Sequence, residues 1–274
     1  MIGQKMIQDL LTRSSLPHFI VLVGANGSGR LMVIRECLSS SFDIFYISEV
    51  TADAIRDTID VAKKNAGVRS LYVFHHADTM STNAKNAMLK LLEEPPKDAY
   101  FIMTLEDVNN TIPTILSRAI VYSMDAYTER ELSEYALVKY GVKNKLLEEI
   151  CTNPGEIDVL VNRIDDFYGY VKKVVDNIDV VSGSNSFKIG LRLALDSSDS
   201  DDKYDLSLFW HGFSYECMRR VIDNLGKANQ KYVRGVIITS TYIQSLRING
   251  VNKLMAFDNW LLSIRSEWFK YADN

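Results

Sequence analysis

The segment LYVFHHAD, Leu71 to Asp78, ends an apolar strand pattern with two histidines. In nucleoside triphosphatases an apolar strand of this kind is followed by acidic residues, one of which binds Mg²⁺ while the other polarises the attacking water. His75 and His76 occupy those two positions here. Mg²⁺ takes oxygen ligands, which imidazole rings do not offer. The segment therefore predicts that the positions for the metal ion and for the attacking water no longer carry the carboxylates they require.

A phosphate-binding loop pattern lies upstream of this segment. Phe19–Val23 is a short apolar run rich in β-branched residues, which predicts a buried parallel strand. Gly24, Gly27 and Gly29 follow it and lead into a helical pattern. This order of strand, glycine loop and helix points backbone amides and a helix N-terminus at an anion.

The two residues that complete the loop pattern differ from the signature G-x-x-x-x-G-K-[ST]. Arg30 stands at the lysine position and Leu31 at the hydroxyl position. Arginine is a planar fork that does not substitute cleanly for lysine, and leucine has no oxygen for Mg²⁺. We therefore expect no hydrolysis by this chain and no required cofactor. A structural or empty loop is the favoured interpretation, and residual nucleotide binding is the alternative.

No metal site is expected at the two histidines or at the cysteines. His75 and His76 are adjacent on a predicted strand, so their side chains should point to opposite faces. The three cysteines, Cys37, Cys151 and Cys217, are far apart and lack metal-ligand spacing.

Length and composition limit the functional classes. A chain of 274 residues suits two or three domains. Its 47% hydrophobic and 24% charged residues are ordinary for a globular protein. With a net charge of −4 the chain is not basic overall, so any surface that binds nucleic acid must be a local basic patch. With no signal peptide and no apolar run near the length of a membrane span, a cytoplasmic protein without a membrane partner is expected.

The first half of the chain alternates apolar strands with amphipathic helices, which indicates a parallel α/β sheet. The predicted strands are five in number: Phe19–Val23, Asp43–Ile47, Ser70–Phe74, Ala99–Met103 and Ala119–Tyr122. The helices between them include Ala52–Lys64 and Thr82–Leu92.

The second half has helical periodicity throughout. We predict an α/β domain over 1–124, a small helical lid over 125–166 and an all-α domain over 167–274. The polar, acidic segment Leu195–Asp205 is predicted to be a loop. Trp210, Phe213, Met218, Trp260 and Trp268 are expected in the core or in a subunit interface.

Several motifs now occur in a fixed order: IGQK (Ile2–Lys5), LPH (Leu16–His18), GANGSGR (Gly24–Arg30), HHADTMSTNAKNAMLKLLEEPP (His75–Pro96) and IPTILSRAI (Ile112–Ile120). This series resembles the bacterial clamp-loader family of AAA+ proteins, and within it most closely the delta-prime subunits of DNA polymerase III. The resemblance covers residues 1–160 well and the remainder weakly. It implies an AAA+ P-loop domain with a five-stranded parallel sheet, followed by a helical lid and a helical collar that mediates oligomerisation.

The resemblance also implies partners and a role. Members of the family form a five-subunit ring of ATPase subunits and a clamp opener, which places a sliding clamp on primed DNA. One subunit supplies an arginine to the ATP held by its neighbour, and Arg118 in Ser117-Arg118-Ala119 matches that arginine. A guanidinium donated in trans neutralises charge that develops on the γ-phosphate. The alternative is an arginine at a strand edge that pairs with a carboxylate.

The chain departs from the family pattern in three places. Ala119 replaces the cysteine of the Ser-Arg-Cys motif, and the four-cysteine zinc module is missing. In the lid motif NPGEID, Glu156 lies near the position of a sensor arginine, where a carboxylate would repel a triphosphate.

DNA contact is expected at the start of the helix that follows the two histidines. A helix N-terminus favours phosphate, and Thr82 and Lys85 lie in the first turns of this helix. The alternative is that these polar residues are merely solvated.

The predicted function is thus a non-hydrolysing clamp-loader subunit that contacts the clamp only indirectly. Two rivals remain: a divergent ATP-binding ATPase subunit of the same complex, and a clamp-opening subunit of the delta type without an arginine finger.

Overall fold

The computed structural model describes residues 2–12, 16–65, 67–178, 206–223, 230–246 and 251–271. The chain divides into two compact units, residues 1–127 and 128–274. Each unit is described by itself.

The first unit is a five-stranded sheet with helices on both faces. Its strands are β1 (Phe19–Val23), β2 (Asp43–Ile47), β3 (Ser70–Phe74), β4 (Ala99–Leu105) and β5 (Ile120–Ser123). Its helices are α1 (Lys5–Leu11), α2 (Arg30–Leu38), α3 (Ala52–Lys64), α4 (Thr82–Glu93) and α5 (Pro113–Leu116). Every strand pair is parallel and the spatial order is β2-β3-β4-β1-β5. The predicted five-stranded parallel sheet is confirmed.

Two apolar clusters show why the central strands are continuous apolar runs. Alternate residues of β1 and β3 enter opposite clusters, because successive side chains of a strand point to opposite faces. One cluster joins the sheet to α3, α4 and α5, and the other joins it to α1 and α2. Burial on both faces is typical of a parallel sheet between two helical layers.

Helix starts follow capping residues visible in the sequence. The Thr51 hydroxyl accepts the Ala54 N–H at the start of α3. The Ser81 hydroxyl accepts the Ala84 N–H at the start of α4. Such caps satisfy amide donors that have no partner within the helix, so these two helices begin where the polar residues stand.

All the regular elements described in the second unit are helices. It contains α6 (Glu129–Tyr140), α7 (Lys145–Ile150), α8 (Pro154–Leu160), α9 (Ile164–Asn177), α10 (Leu206–Asp223), α11 (Gln230–Ser245) and α12 (Lys253–Phe269). Trp210, Phe213, Trp260 and Trp268 are buried, as expected, whereas Met218 is 46% exposed. The predicted loop Leu195–Asp205 lies outside the described residues. The division of this unit into a lid and a collar stays a prediction.

Among the described residues, no helix is both long enough and apolar enough to cross a membrane.

Candidate functional site

The glycine loop joins the carboxyl end of β1 to α2. The Gly24 N–H donates to the Leu105 carbonyl oxygen at 2.9 Å, which ties the start of the loop to the end of β4. Gly27 and Gly29 have φ of 80° and 87°, a region that favours glycine. Gly29 precedes α2 and no side chain caps this helix, so a strand, a glycine loop and an uncapped helix follow one another in the order of a phosphate-binding loop.

One wall of the loop is closed by an apolar side chain. A Cβ atom added at Gly24 would lie 2.6 Å from Met124 Cγ, so the Met124 side chain packs directly on the loop backbone. Only glycine leaves room for this contact. The loop is thus packed against β5's continuation as well as against β4.

Arg30 lies in the interior of the site. Its side chain is buried, and its Nη1 has no hydrogen-bond partner among the described residues. Burial lowers the pKa of Arg30, and the nearby charges of Glu106 and Asp78 partly offset this shift. Leu31, at the hydroxyl position, packs against the apolar cluster that includes α1 and α2. The loop therefore offers a buried cation and an apolar group where a lysine and a hydroxyl would serve Mg²⁺ and phosphate.

His75 follows directly after β3 and contacts β4. Its Nδ1 lies 3.0 Å from the Thr104 hydroxyl oxygen. Burial, followed by the charges of His76 and Arg30, lowers the pKa of His75 to about 4, against a raising effect of Asp78. His75 is therefore neutral near pH 7. The Thr104 hydroxyl at the end of β4 is thus held by this histidine.

The expectation that His75 and His76 point to opposite faces is wrong. Strand β3 ends at Phe74, and His76 has a left-handed φ of 54°. Strand alternation does not extend past the strand end, and the two rings lie 3.7 Å apart. Even so, no group of three or more His, Cys, Asp or Glu residues could hold a metal ion within the described part of the chain. The side chains present do not fit a Mg²⁺ site.

Asp78 is a carboxylate near the site whose oxygens are taken by protein donors. Both oxygens accept the Glu106 N–H at 2.9 Å, and Oδ1 also accepts the Asn110 amide at 2.9 Å. The Asp107 N–H adds a longer contact of 3.4 Å. These bonds hold the loop from β4 to α5, so Asp78 acts as a structural acceptor.

Arg118 lies between α5 and β5 and is held at two points. Its Nη1 donates to the Thr114 carbonyl oxygen at 3.0 Å. Its Nη2 donates to Glu93 Oε1 at 3.1 Å, at the last residue of α4. The side chain is 38% exposed and that of Glu93 is 55% exposed. Pairing with a carboxylate is what the alternative interpretation of Arg118 predicts. The Arg118 side chain is nevertheless partly exposed, so its remaining N–H donors can reach a partner.

The two predicted DNA-contact residues differ in their surroundings. Thr82 is exposed at the first residue of α4. Lys85 is half-buried, and its Nζ donates to the Asn110 carbonyl oxygen at 2.8 Å. An ammonium group has three donors, so Lys85 serves the protein with one and retains others.

Glu156 is engaged inside the second unit. Its carboxylate accepts from the Thr152 N–H at 2.6 Å and lies 3.2 Å from the ring of His211. Its repulsion of a triphosphate stays a prediction.

Two relatives and one family model agree on the kind of protein. The family model described as DNA polymerase III, delta subunit, matches residues 45–128. The delta-prime subunit of DNA polymerase III from Bacillus subtilis is 30% identical over 116 residues, 41% of this chain and 35% of the relative. The corresponding subunit from Haemophilus influenzae is 29% identical over 111 residues, 39% of this chain and 34% of the relative. These matches support a clamp-loader delta-prime-like protein.

A longer but weaker match involves another subunit of DNA polymerase III. The tau subunit from Bacillus subtilis is 22% identical over 232 residues, 68% of this chain and 40% of the relative. The chain thus spans well under half the length of the curated relatives that it matches. The predicted resemblance to the clamp-loader family is confirmed.

One solved structure supports the fold alone. A DNA polymerase III gamma subunit-related protein from Thermotoga maritima is 16% identical, with a TM-score of 0.50. The match covers 96% of this chain and 99% of that protein. The expected α/β domain followed by helices is confirmed at the level of the fold.

Two interactions at the candidate site were not predicted from the sequence. Glu93 pairs with Arg118, and Asp78 organises the loop after β4. Asp78 and Glu93 both belong to the HHADTM…LEEPP segment that carries the resemblance, so the motif does point to the segment in which they lie. Their partners lie 25 or more residues away in sequence, and no local pattern identifies such pairs.

Proposed function

We propose that this chain is a non-hydrolysing, delta-prime-type subunit of the DNA polymerase III clamp loader. It assembles with ATPase subunits and a clamp opener, helps to load the sliding clamp on primed DNA, and presents Arg118 to the ATP of a neighbouring subunit. The contrast between Arg30 and Arg118 carries this proposal. Arg30 is buried in the chain's own site, whereas Arg118 remains partly exposed.

The site residues argue against hydrolysis by this chain. Neutral His75 stands where an acid would bind Mg²⁺, and Leu31 stands where a hydroxyl would. Asp78 is already engaged by three donor groups. Without oxygen ligands the Mg²⁺ that neutralises the phosphates in phosphoryl transfer has no position.

Arg118 has the donors that a finger requires. A guanidinium carries five N–H donors, and two of its nitrogens each make one described hydrogen bond. Charge-assisted hydrogen bonds to phosphate are strong and short. The remaining donors and the exposure of the side chain support a role in trans.

Contact with primed DNA is proposed at the start of α4. Thr82 is exposed there, and Lys85 keeps donors beyond the one given to Asn110. Substitution of Thr82 and Lys85 by alanine should weaken binding of primed DNA by the complex and reduce its salt dependence.

The finger is tested in a reconstituted complex with its ATPase subunits, clamp and primed DNA. Arg118→Ala should reduce turnover at the facing ATP site about 10³-fold, so the total rate falls by the share of that site. The matched control is Arg35→Ala, an exposed arginine on α2, which should leave the rate unchanged. An intact complex with an unchanged rate for Arg118→Ala would refute the finger.

Two measurements separate the rivals. Mg²⁺-dependent hydrolysis by the isolated chain that vanishes on Gly29→Glu would indicate an ATPase subunit. Tight binding of a sliding clamp by the isolated chain would indicate a delta-type opener. We expect neither result.

A further inference from the structure

The segment that carries Arg118 is attached to one continuous support at three points. Asp78, in the turn before α4, accepts from Glu106 and Asn110. Lys85, in the second turn of α4, donates to the Asn110 carbonyl oxygen. Glu93, at the end of α4, accepts from Arg118. The path from β4 to β5 is therefore fastened along the whole length of α4.

Apolar contacts reinforce the same attachment. Ile115 of α5 is fully buried in the cluster that contains Met88 and Leu91 of α4. The backbone before Arg118 is thus fixed, whereas its long side chain is exposed enough to explore several rotamers. Ordering such a side chain costs conformational entropy.

We propose that Glu93 is a positioning residue for Arg118. This inference rests on the proposed function, because it assigns Glu93 a role in presenting the finger to the neighbour's phosphate. The Thr114 carbonyl oxygen holds one terminal nitrogen and Glu93 Oε1 holds the other. With both terminal nitrogens anchored, the plane of the guanidinium is set before the neighbour arrives, and less entropy is lost when the phosphate is bound.

The solvent exposure of Glu93 and Arg118 determines how Glu93 can act on Arg118. Both side chains are well exposed, so the ion pair is screened and contributes little to folding. Its effect is geometric, and an uncharged acceptor at the same place should retain most of it. Glutamine keeps an acceptor oxygen at this position, whereas alanine removes it.

The experiment measures ATP turnover by the reconstituted complex with clamp and primed DNA. Glu93→Ala should lower kcat at the facing site about twofold to fivefold, the range of an exposed ion pair, with KM for ATP unchanged. Glu93→Gln should remain within about twofold of the unsubstituted protein. The matched control, Glu94→Ala, removes the adjacent exposed carboxylate and should have no effect.

A double variant tests whether Glu93 acts through Arg118. Glu93→Ala combined with Arg118→Ala should be no slower than Arg118→Ala alone. Additive losses, an unchanged rate for Glu93→Ala, a faster rate, or an equal loss for Glu94→Ala would each overturn the positioning role. If Arg118→Ala itself has no effect, the proposed finger fails. If Arg118→Ala is slow and Glu93→Ala is not, the finger stands and only the positioning role fails.

Discussion

Replacing Asp78 with alanine is expected to loosen the loop that leads from β4 to α5. The substitution removes the acceptor of the Glu106 N–H and the Asn110 amide, each at 2.9 Å, and of the Asp107 N–H at 3.4 Å. The Asp78 side chain is buried, so it is shielded from water that could replace it.

The size of the effect follows from these bonds. A hydrogen bond to a charged group contributes about 1.5–3 kcal/mol, and two short donors would give about 3–6 kcal/mol. Glu106 and Asn110 are half-buried, so water recovers part of this energy. We expect Asp78→Ala to lower the free energy of unfolding by about 2–3 kcal/mol. Asp78→Asn, which retains one oxygen acceptor, should lose about half as much.

Urea unfolding and native-state hydrogen exchange measure the two consequences. Each 2 kcal/mol should speed exchange of the Glu106 amide about 30-fold, while amides in α6 should keep their protection. Asp53→Ala removes an exposed aspartate paired with Arg56 and serves as the control. A loss below about 0.5 kcal/mol, or equal losses for the asparagine and alanine variants, would refute the reasoning.

The remaining predictions concern the glycine loop and the residues that follow β3. Gly24→Ala should destabilise the protein by about 1–3 kcal/mol through overpacking. Met124→Ala should relieve only part of that loss in thermal melts of the double variant, because Met124 Cβ and Ser28 Oγ also lie within 3 Å of the added atom. His75 has its pKa lowered to about 4 in the folded protein, so the unfolded chain binds the proton more readily between pH 6.5 and 4. Stability should therefore fall as the pH drops through this range, and His75→Gln should flatten that part of a stability–pH profile. Leu31→Thr restores a hydroxyl but not the missing acids, so calorimetric titration should still show no Mg²⁺-dependent ATP binding.

Periodicity predicted the sheet well because both of its faces are covered. The predicted bounds of β1, β2, β3 and α3 agree with the structure. Strand β4 runs two residues further than predicted, to Leu105, because Thr104 and Leu105 continue in register with β1. A polar residue such as Thr104 interrupts an apolar pattern but not a hydrogen-bonded ladder.

The sequence alone identifies which residue types occupy the positions of the site, but not how their backbone and side chains are arranged. Arg30 and Leu31 could be compared with a known signature position by position. The left-handed backbone at His76 could not, because it depends on the turn that follows β3. Likewise, the sequence names Arg118 through its motif, whereas its contact with Glu93 depends on how α4 and α5 pack.

The burial of Arg30 bears on how this chain would respond to the cellular ratio of ATP to ADP. A ligand shifts a conformational equilibrium only through different affinities for the two states. We expect a loop that holds its own guanidinium, beside a neutral His75 and with no Mg²⁺ site among the described residues, to offer ATP and ADP no such difference. We therefore expect the conformation of the α/β unit to be insensitive to the ratio of ATP to ADP. If the proposed function holds, any response to that ratio would reach the chain through Arg118, from the nucleotide bound by its neighbour.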